Sequence, residues 1–302
     1  MSSACRPIRV PSSLFVPRKR DTNKSDYGKI LIVAGSDGMA GAAILCARAA
    51  LRAGAGLVTV AAPLPAQQVV ASALPEAMTL GLPHKKGIID GDAAWPRLKA
   101  WLGSKGCDLI VAGPGLGAGV QPLMRRLFAA DKPLVLDADA LNALAKMPGW
   151  SRRVKTGAVI ITPHPGEAAR LLGSTVKAVQ AAREACVLRL AKLCGGVAVL
   201  KGHASLVADA EGHCRINATG GPELSKGGSG DVLVGLIAGL WAQAGTARGF
   251  RATGFESAAS GVFLHGLCGE LAAHELGEKS VLAGDLTDLI PCAFREAGRK
   301  LK

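Results

Sequence analysis

The stretch SKGGSGDVLVGLIAGL, residues 225–240, places three glycines and one aspartate immediately before a long apolar run. Gly227, Gly228 and Gly230 would each cost a helix interior about 1 kcal/mol against alanine. At the mouth of a helix they let the backbone turn sharply and leave N–H groups open to a ligand. Asp231 then falls in the first helical turn, where the helix dipole favours a carboxylate. Two readings follow. One is an ordinary loop-to-helix junction with an acidic cap. The other is an anion cradle built from Gly228, Ser229 and Gly230, with Asp231 as a base beside it.

Other strand-like runs also end in chemistry-bearing loops: AGSDGMAG, AGPGLG, DADALN, TPHPGE and KGHAS. Loops do chemistry when a rigid scaffold aims them at one place. Lys201, at the end of a buried run, is either a snorkelling surface charge or a phosphate contact assisted by the Gly202 turn. His164, held between Pro163 and Pro165, is either packed in the core or aimed at a ligand. Glu167 can serve as a carboxylate at a helix N-terminus, and Asp137, Asp139 and Asn142 as caps of the helix that follows them. Two familiar phosphate motifs are absent. No Gly-x4-Gly-Lys-Ser/Thr string occurs. GSDGMAG has the wrong spacing for a dinucleotide fingerprint, and no acidic residue lies between Asp37 and Glu76.

These loops need a frame. Buried strands are predicted at 29–35, 57–62 and 213–217, a strand then a glycine loop over 107–117, and two strands around a turn over 196–209. A strand running into a helix is predicted over 132–144 and again over 157–173. Helices are predicted at 41–56, stopped by Gly54 and Gly56, and at 65–76, 122–130, 176–194, 231–243, 253–276 and 285–297. Alternating strand and helix argues an α/β fold with a mostly parallel sheet covered on both faces. In such sheets ligands bind at the carboxyl ends of the strands. The 302 residues, 49% of them hydrophobic, support a sizeable core, read as one domain over 16–302 behind a flexible tail, 1–15.

The net charge of +13 would suit a nucleic-acid or membrane-surface binder. The excess is scattered, however, over Arg18–Arg20, over Arg152, Arg153 and Lys155, and over Arg299, Lys300 and Lys302. A single tyrosine makes a base-stacking platform implausible. No apolar run is long enough for a membrane span. The eight cysteines include no Cys-x-x-Cys pair and read as buried free thiols of a reducing, cytoplasmic compartment.

In order, the chain carries YGKILIVAGSDGMAGAAILCARAALRAGAGLVTVA, GPGLG, LDADALNAL, TPHPGEAARLLG, LKGHASLV and NATGGPELSKGGSGDVLVGLIAGL. Together they resemble the ADP/ATP-dependent NAD(P)H-hydrate dehydratases, carbohydrate-kinase-domain repair enzymes of the ribokinase-like superfamily, from about Val16 to the C-terminus. The resemblance implies a ribokinase-like fold, its mostly parallel central sheet sandwiched between helical layers. It implies an enzyme that phosphorylates the hydroxyl of the S-form of NADH or NADPH hydrate (NADHX, NADPHX) and lets phosphate depart, restoring the reduced cofactor.

By matching motif, the hydrate would touch Ala42, Gly115, His164 and Asp231. ADP or ATP would lie on Lys201, Gly202, His203, Ala204, Ser205 and Gly230. Gly228, Ser229 and Gly230 would hold the phosphoryl group, Asp231 would take the hydroxyl proton, and Glu167 would help to organise Mg2+ through water. Lys226 is a departure just before the cradle and adds positive charge there. A homotetramer, no epimerase domain, and a functional link to a separate epimerase are further implications. Neither nucleic acid nor membrane is expected as a partner. The alternative is a superfamily kinase of a small vitamin-precursor alcohol; GPGLG, DADALN and PHPGE together favour the dehydratase.

Overall fold

Short runs of valine, isoleucine and leucine, each closed by glycine or a polar turn, form buried strands, and the alanine-rich stretches between them form helices. The structure, a computed structural model, describes residues 5–15, 17–152 and 158–299. In chain order the strands are β1 (Arg6–Pro7), β2 (Lys29–Val33), β3 (Leu57–Pro63), β4 (Met78–Leu82), β5 (His84–Lys85), β6 (Ile88–Ile89), β7 (Leu109–Ala112), β8 (Leu134–Leu136), β9 (Val159–Ile161), β10 (Val197–Leu200), β11 (Leu206–Asp209) and β12 (Cys214–Ile216). The helices are α1 (Ala40–Arg52), α2 (Leu64–Ala73), α3 (Gly91–Ser104), α4 (Gln121–Phe128), α5 (Ala138–Ala145), α6 (Pro165–Leu172), α7 (Val176–Ala181), α8 (Arg183–Cys194), α9 (Ser229–Arg248), α10 (Phe250–Leu276) and α11 (Ala283–Arg299).

Among the described residues, ten strands form one sheet in the order β1-β12-β11-β10-β9-β8-β7-β2-β3-β4. Pairing is parallel except where β11 meets β10 and β12. From β2 the chain builds outward through β3 and β4, then returns to the other side of β2 and continues through β7, β8, β9 and β10. Such a reversal opens a crevice at the carboxyl ends of the two central strands. The loops that follow β2 and β7 meet there, with the Gly35 N–H donating to the Pro114 carbonyl at 2.8 Å.

The two faces of the sheet build separate cores. Leu31 and Val33 of β2 join the core beneath α3 to α8, while Ile30 and Ile32 join the one shared with α1, α2, α9 and α10. This is the period-2 alternation of a strand covered on both sides. A third apolar cluster glues α11 to α1, α9 and α10. Helix α9 is buried along most of its length. A Cβ at Gly235 or Gly239 would collide with the carbonyl oxygens of Cys46 or Ala50 on α1, so these glycines permit backbone-to-backbone contact.

Several sequence expectations are changed. β4 and α3 lie in 77–106, where no element was expected. The single helix expected over 176–194 is two, broken at Ala182, whose φ of −137° and ψ of 48° are not helical. Within the expected tail, β1 pairs with β12 and Phe15 packs edge-on against Phe294 at 6.4 Å. Val16, the expected start of the domain, lies outside the described residues, as do Arg153, Lys155, Lys300 and Lys302. Cys5 and Cys214 form a disulfide, which corrects the reading of all cysteines as free thiols. The β1–β12 pairing places them side by side, at a sequence separation of 209 that spacing rules do not read. Cys46, Cys107, Cys194 and Cys268 are buried free thiols, as expected. Among the described residues no helix is long and apolar enough to cross a membrane.

The α1–α9 contact makes a prediction. Gly235→Ala gains helix propensity of about 1 kcal/mol but overpacks α1, and overpacking costs about 1–3 kcal/mol or more. The variant is expected to unfold at lower urea than the native protein. An unchanged or higher midpoint would contradict the close approach.

Candidate active site

The loops predicted to carry chemistry follow β2, β7, β8, β9 and β10, which are consecutive neighbours in the sheet and all parallel. Their carboxyl ends therefore open on one side. The N-terminus of α9 comes to the same place.

Gly228 precedes α9 with φ of 90°, a left-handed conformation that L side chains rarely adopt. A Cβ there would also meet Leu45 and Ala283 at 2.7 and 2.9 Å. Ser229, Gly230 and Asp231 form the first turn, so their N–H groups have no partner within the helix; that of Ser229 donates to the Lys226 carbonyl just ahead of it at 3.3 Å. Behind them the buried His265 places Nε2 2.9 Å from the Ser229 carbonyl oxygen and 3.2 Å from its hydroxyl. Burial pulls the His265 pKa down to about 4. It therefore braces the turn as a neutral imidazole.

Lys201 ends β10, and its side chain reaches back under this turn. Nζ donates to Asp137 Oδ1 at 2.6 Å and lies 4.0 Å from Glu167 Oε2. A Cβ on Gly230 would stand 3.5 Å from Nζ and 3.9 Å from Asp137 Oδ2, so cradle and ion pair are adjacent. Asp137 begins α5 but makes no side-chain cap bond; it also accepts from the Thr162 hydroxyl at 2.8 Å. Ala138, next to it, holds φ of 46°. Asp139 accepts from the Gly117 N–H at 2.8 Å, tying DADALN to GPGLG.

His164 does cap α6: Nδ1 accepts from the Gly166 N–H at 2.9 Å, while the Glu167 carboxylate accepts from the His164 N–H at 2.8 Å. This is a reciprocal capping box with histidine in the cap position. His164 Nε2 lies 3.3 Å from Glu167 Oε1, and the ring is half exposed at the site rather than packed in the core.

The electrostatics are those of carboxylates crowded round one ammonium. Burial pushes the Asp231 pKa up to about 6; the charges of Asp137 and Asp139 add to this and Lys201 opposes it. Burial likewise pushes Glu167 to about 7, with Asp137 adding and Lys201 opposing. Burial alone would lower the Lys201 pKa, but Asp137, Glu167 and Asp231 outweigh it and raise it, so the ammonium stays charged.

A cavity of about 590 Å³ opens beside the cradle. Lys201, Gly202, His203, Ala204, Ser205, Ser229 and Gly230 all line it, so the structure brings the whole expected nucleotide set together. Arg183 supports that loop from below, donating to the carbonyls of Leu200 and Lys201. Gly115 and Ala42, both expected to touch the hydrate, are in contact: a Cβ on Gly115 would lie 3.1 Å from the Ala42 Cβ. A second hollow, of about 550 Å³, runs from Gly117 past Asp139 and Asn142 to Arg170. A larger one, about 760 Å³, lies at the far end of α9, around Arg18, Tyr27 and Gln243, away from these loops.

Sequence reasoning missed four parts of the site. Asp137 was read only as a cap. Thr162 and Arg183 were not singled out. His265 sits mid-helix in α10, where no motif marks it. Lys226 lines the same cavity as Lys201 and Gly230, but its ammonium donates to the Lys279 carbonyl at 2.6 Å and so ties the loop to the α10–α11 connection.

The residues round Glu167, expected to organise Mg2+ through water, do not form a direct seat for the ion. Mg2+ asks for near-octahedral oxygen ligands. Among the described residues no three His, Cys, Asp or Glu side chains are grouped to hold a metal. The Asp137–Glu167 pair is already engaged by the Lys201 ammonium, and one Glu167 oxygen by the His164 N–H.

A mostly parallel sheet with a glycine turn and an aspartate at the mouth of a buried helix is the arrangement of a ribokinase-like α/β protein. Comparison with known proteins narrows the class. A sequence model of the NAD(P)H-hydrate dehydratases matches residues 30–292. The chain is 41% identical to the bifunctional NAD(P)H-hydrate repair enzyme Nnr of Moorella thermoacetica over 92% of this chain and 51% of that one. It is 37% identical to the ADP-dependent (S)-NAD(P)H-hydrate dehydratase of Neisseria meningitidis, over 92% of this chain and 88% of the relative. The chain thus spans about half the length of the bifunctional relatives and nearly all of the monofunctional one. The crystal structure of the Bacillus subtilis ADP/ATP-dependent NAD(P)H-hydrate dehydratase, co-crystallised with ATP/Mg2+, superposes with a TM-score of 0.76 at 31% identity, over 93% of this chain and 94% of that one. The chain belongs to the NAD(P)H-hydrate dehydratase family.

The raised Asp231 pKa makes two predictions. A base must be deprotonated, so kcat/KM of the free enzyme should fall as pH drops below about 6. A profile flat down to pH 4.5 would contradict a buried base. Between its unfolded value, about 4, and about 6 in the fold, the native state binds more protons than the unfolded state, so the ionised carboxylate costs stability as pH rises through that window. Asp231→Asn removes this cost and should melt at or above the native temperature at pH 7.5. A clearly lower melting point would show that the carboxylate is structural.

Proposed function

We propose that this chain uses ADP or ATP to dehydrate the (S) form of NADH or NADPH hydrate, restoring the reduced nicotinamide and releasing phosphate with AMP or ADP. One observation carries the reading: Ser229 and Gly230 of the glycine turn line the same cavity as the Lys201–Ser205 loop, and Asp231 follows them in the first turn of α9. The hydroxyl oxygen of the hydrate attacks the terminal phosphorus of the nucleotide while Asp231 accepts its proton. The bond from that phosphorus to the bridging oxygen breaks, and its electrons leave on AMP or ADP. The cradle N–H groups hold the transferring oxygens without reorganisation. The C–O bond of the new phosphate ester then breaks as the ring nitrogen lone pair pushes in. Loss of the neighbouring proton re-forms the ring double bond. Hydroxide is a poor leaving group and phosphate a good one, which is the reason for spending a nucleotide.

On the hydrate side Ala42, Gly115 and His164 would frame the nicotinamide end, and Mg2+ would arrive as the counter-ion of the nucleotide phosphates. The homotetramer, the supply of the (S) epimer by an epimerase, and a cytoplasmic setting belong to the same proposal. The six free cysteines support that setting, and the Cys5–Cys214 bond stands against it.

The test is absorbance at the reduced-nicotinamide band with NADH hydrate, Mg2+, and ADP or ATP in parallel. A nucleotide-dependent rise is expected. No rise with either, from folded protein that binds nucleotide, would favour a kinase of another small alcohol. Asp231→Asn should lower kcat by about 10²–10⁴-fold with nucleotide binding retained; near-native turnover would remove it from the base role. Gly230→Val places a side chain against Lys201 and should weaken nucleotide binding at least tenfold, about 1.4 kcal/mol; unchanged affinity would contradict the cradle.

A further inference from the structure

Asp137 and Glu167 are both almost completely buried, at 2% and 4% exposure, and come from different strand ends, β8 and β9. Two carboxylates so placed must be met by a cation or take up a proton. The chain supplies one from β10. Lys201 Nζ sits 2.6 Å from one and 4.0 Å from the other. Each partner is fixed from behind: Asp137 by the Thr162 hydroxyl, Glu167 by the His164 N–H, and the Lys201 backbone by its N–H bond to the Pro163 carbonyl. An ammonium has three donors, and Asp137 takes one at bonding distance. The side facing Gly230 looks toward the anion cradle.

We propose that the Lys201 ammonium is the resident cation of this site, standing between Asp137 and Glu167, the residue to which the family resemblance gives a water-bridged magnesium. Lys201 is then the catalytic residue that meets the charge on the transferring phosphoryl group. Asp137 and Glu167 are positioning residues that hold it under the cradle. Magnesium enters only with the nucleotide and has no separate seat on the carboxylates. The catalytic half of this inference rests on the dehydratase reading; the question of which cation sits on the carboxylates does not.

The first experiment titrates Mn2+ into nucleotide-free enzyme and follows the free-ion signal by electron paramagnetic resonance. The native protein is expected to take up no stoichiometric Mn2+. A stoichiometric site that disappears in Glu167→Gln would overturn the proposal. This arm needs no hydrate, so it decides the cation question even where the dehydratase reading fails. The second experiment measures turnover at saturating Mg·nucleotide. Lys201→Met should lower kcat by about 100-fold or more, as loss of a single charge-stabilising donor does, with a smaller change in the nucleotide KM. A kcat within about threefold of the native value would overturn the proposal. Because Lys201→Met strands two buried carboxylates, the pair Asp137→Asn with Lys201→Met is measured beside it. That variant should melt near the native temperature and stay as inactive as the single one. Recovery of turnover in the pair would show that the lysine serves only to neutralise Asp137, and would also overturn the proposal.

Discussion

Gly235 and Gly239 bring α9 into backbone contact with α1, and the site's geometry depends on that contact. A helix with side chains at those two positions would be held further from α1. Its first turn would shift with it, and Gly228, Ser229, Gly230 and Asp231 would no longer meet the loop that carries Lys201. The apolar length of α9 supplies the driving force, since Val232, Val234, Leu236, Ile237 and Ala238 are all fully buried. The same burial raises the Asp231 pKa. Packing therefore sets both the position of Asp231 and its proton affinity.

Charge balance is the second constraint. The end of the sheet gathers Asp137, Glu167 and Asp231 round a single ammonium. Unpaired, the buried carboxylates would be costly; paired, they hold Lys201 in one place. A carboxylate whose pKa is raised to about 6 is a stronger base than an ordinary exposed one, which is the property the proposed proton transfer from the hydrate hydroxyl requires. The free energy gathered by apolar burial elsewhere is partly spent in keeping these groups together.

Much of this was legible in the sequence because parallel strands expose their carboxyl ends together. Five loops with glycine, proline or acid after an apolar run could be read as converging before any coordinates. The glycine turn before α9 was likewise visible, because three glycines and an acid ahead of an apolar helix have few uses. The rest needed long-range geometry. Asp137 looked like a cap because caps are local, and its true partner Lys201 is 64 residues away. His265 lies in a helix buried on most sides, where a histidine carries no signal. The α3 helix was hidden by Pro96 and by a mixed surface with little apolar periodicity. The disulfide joins the edge strand β1 to its neighbour β12 across a sequence separation of 209, and no spacing rule reaches that far.

The central claim is that a hydroxyl is phosphorylated so that it can leave. NADH hydrate carrying ¹⁸O in its ring hydroxyl tests it directly, with the released phosphate and the water read by mass spectrometry. The account predicts that the label ends in inorganic phosphate, one atom per reduced nicotinamide formed. Label recovered in water, with unlabelled phosphate, would mean that nucleotide hydrolysis and dehydration are separate events, and would contradict the assignment of the α9 cradle and Asp231.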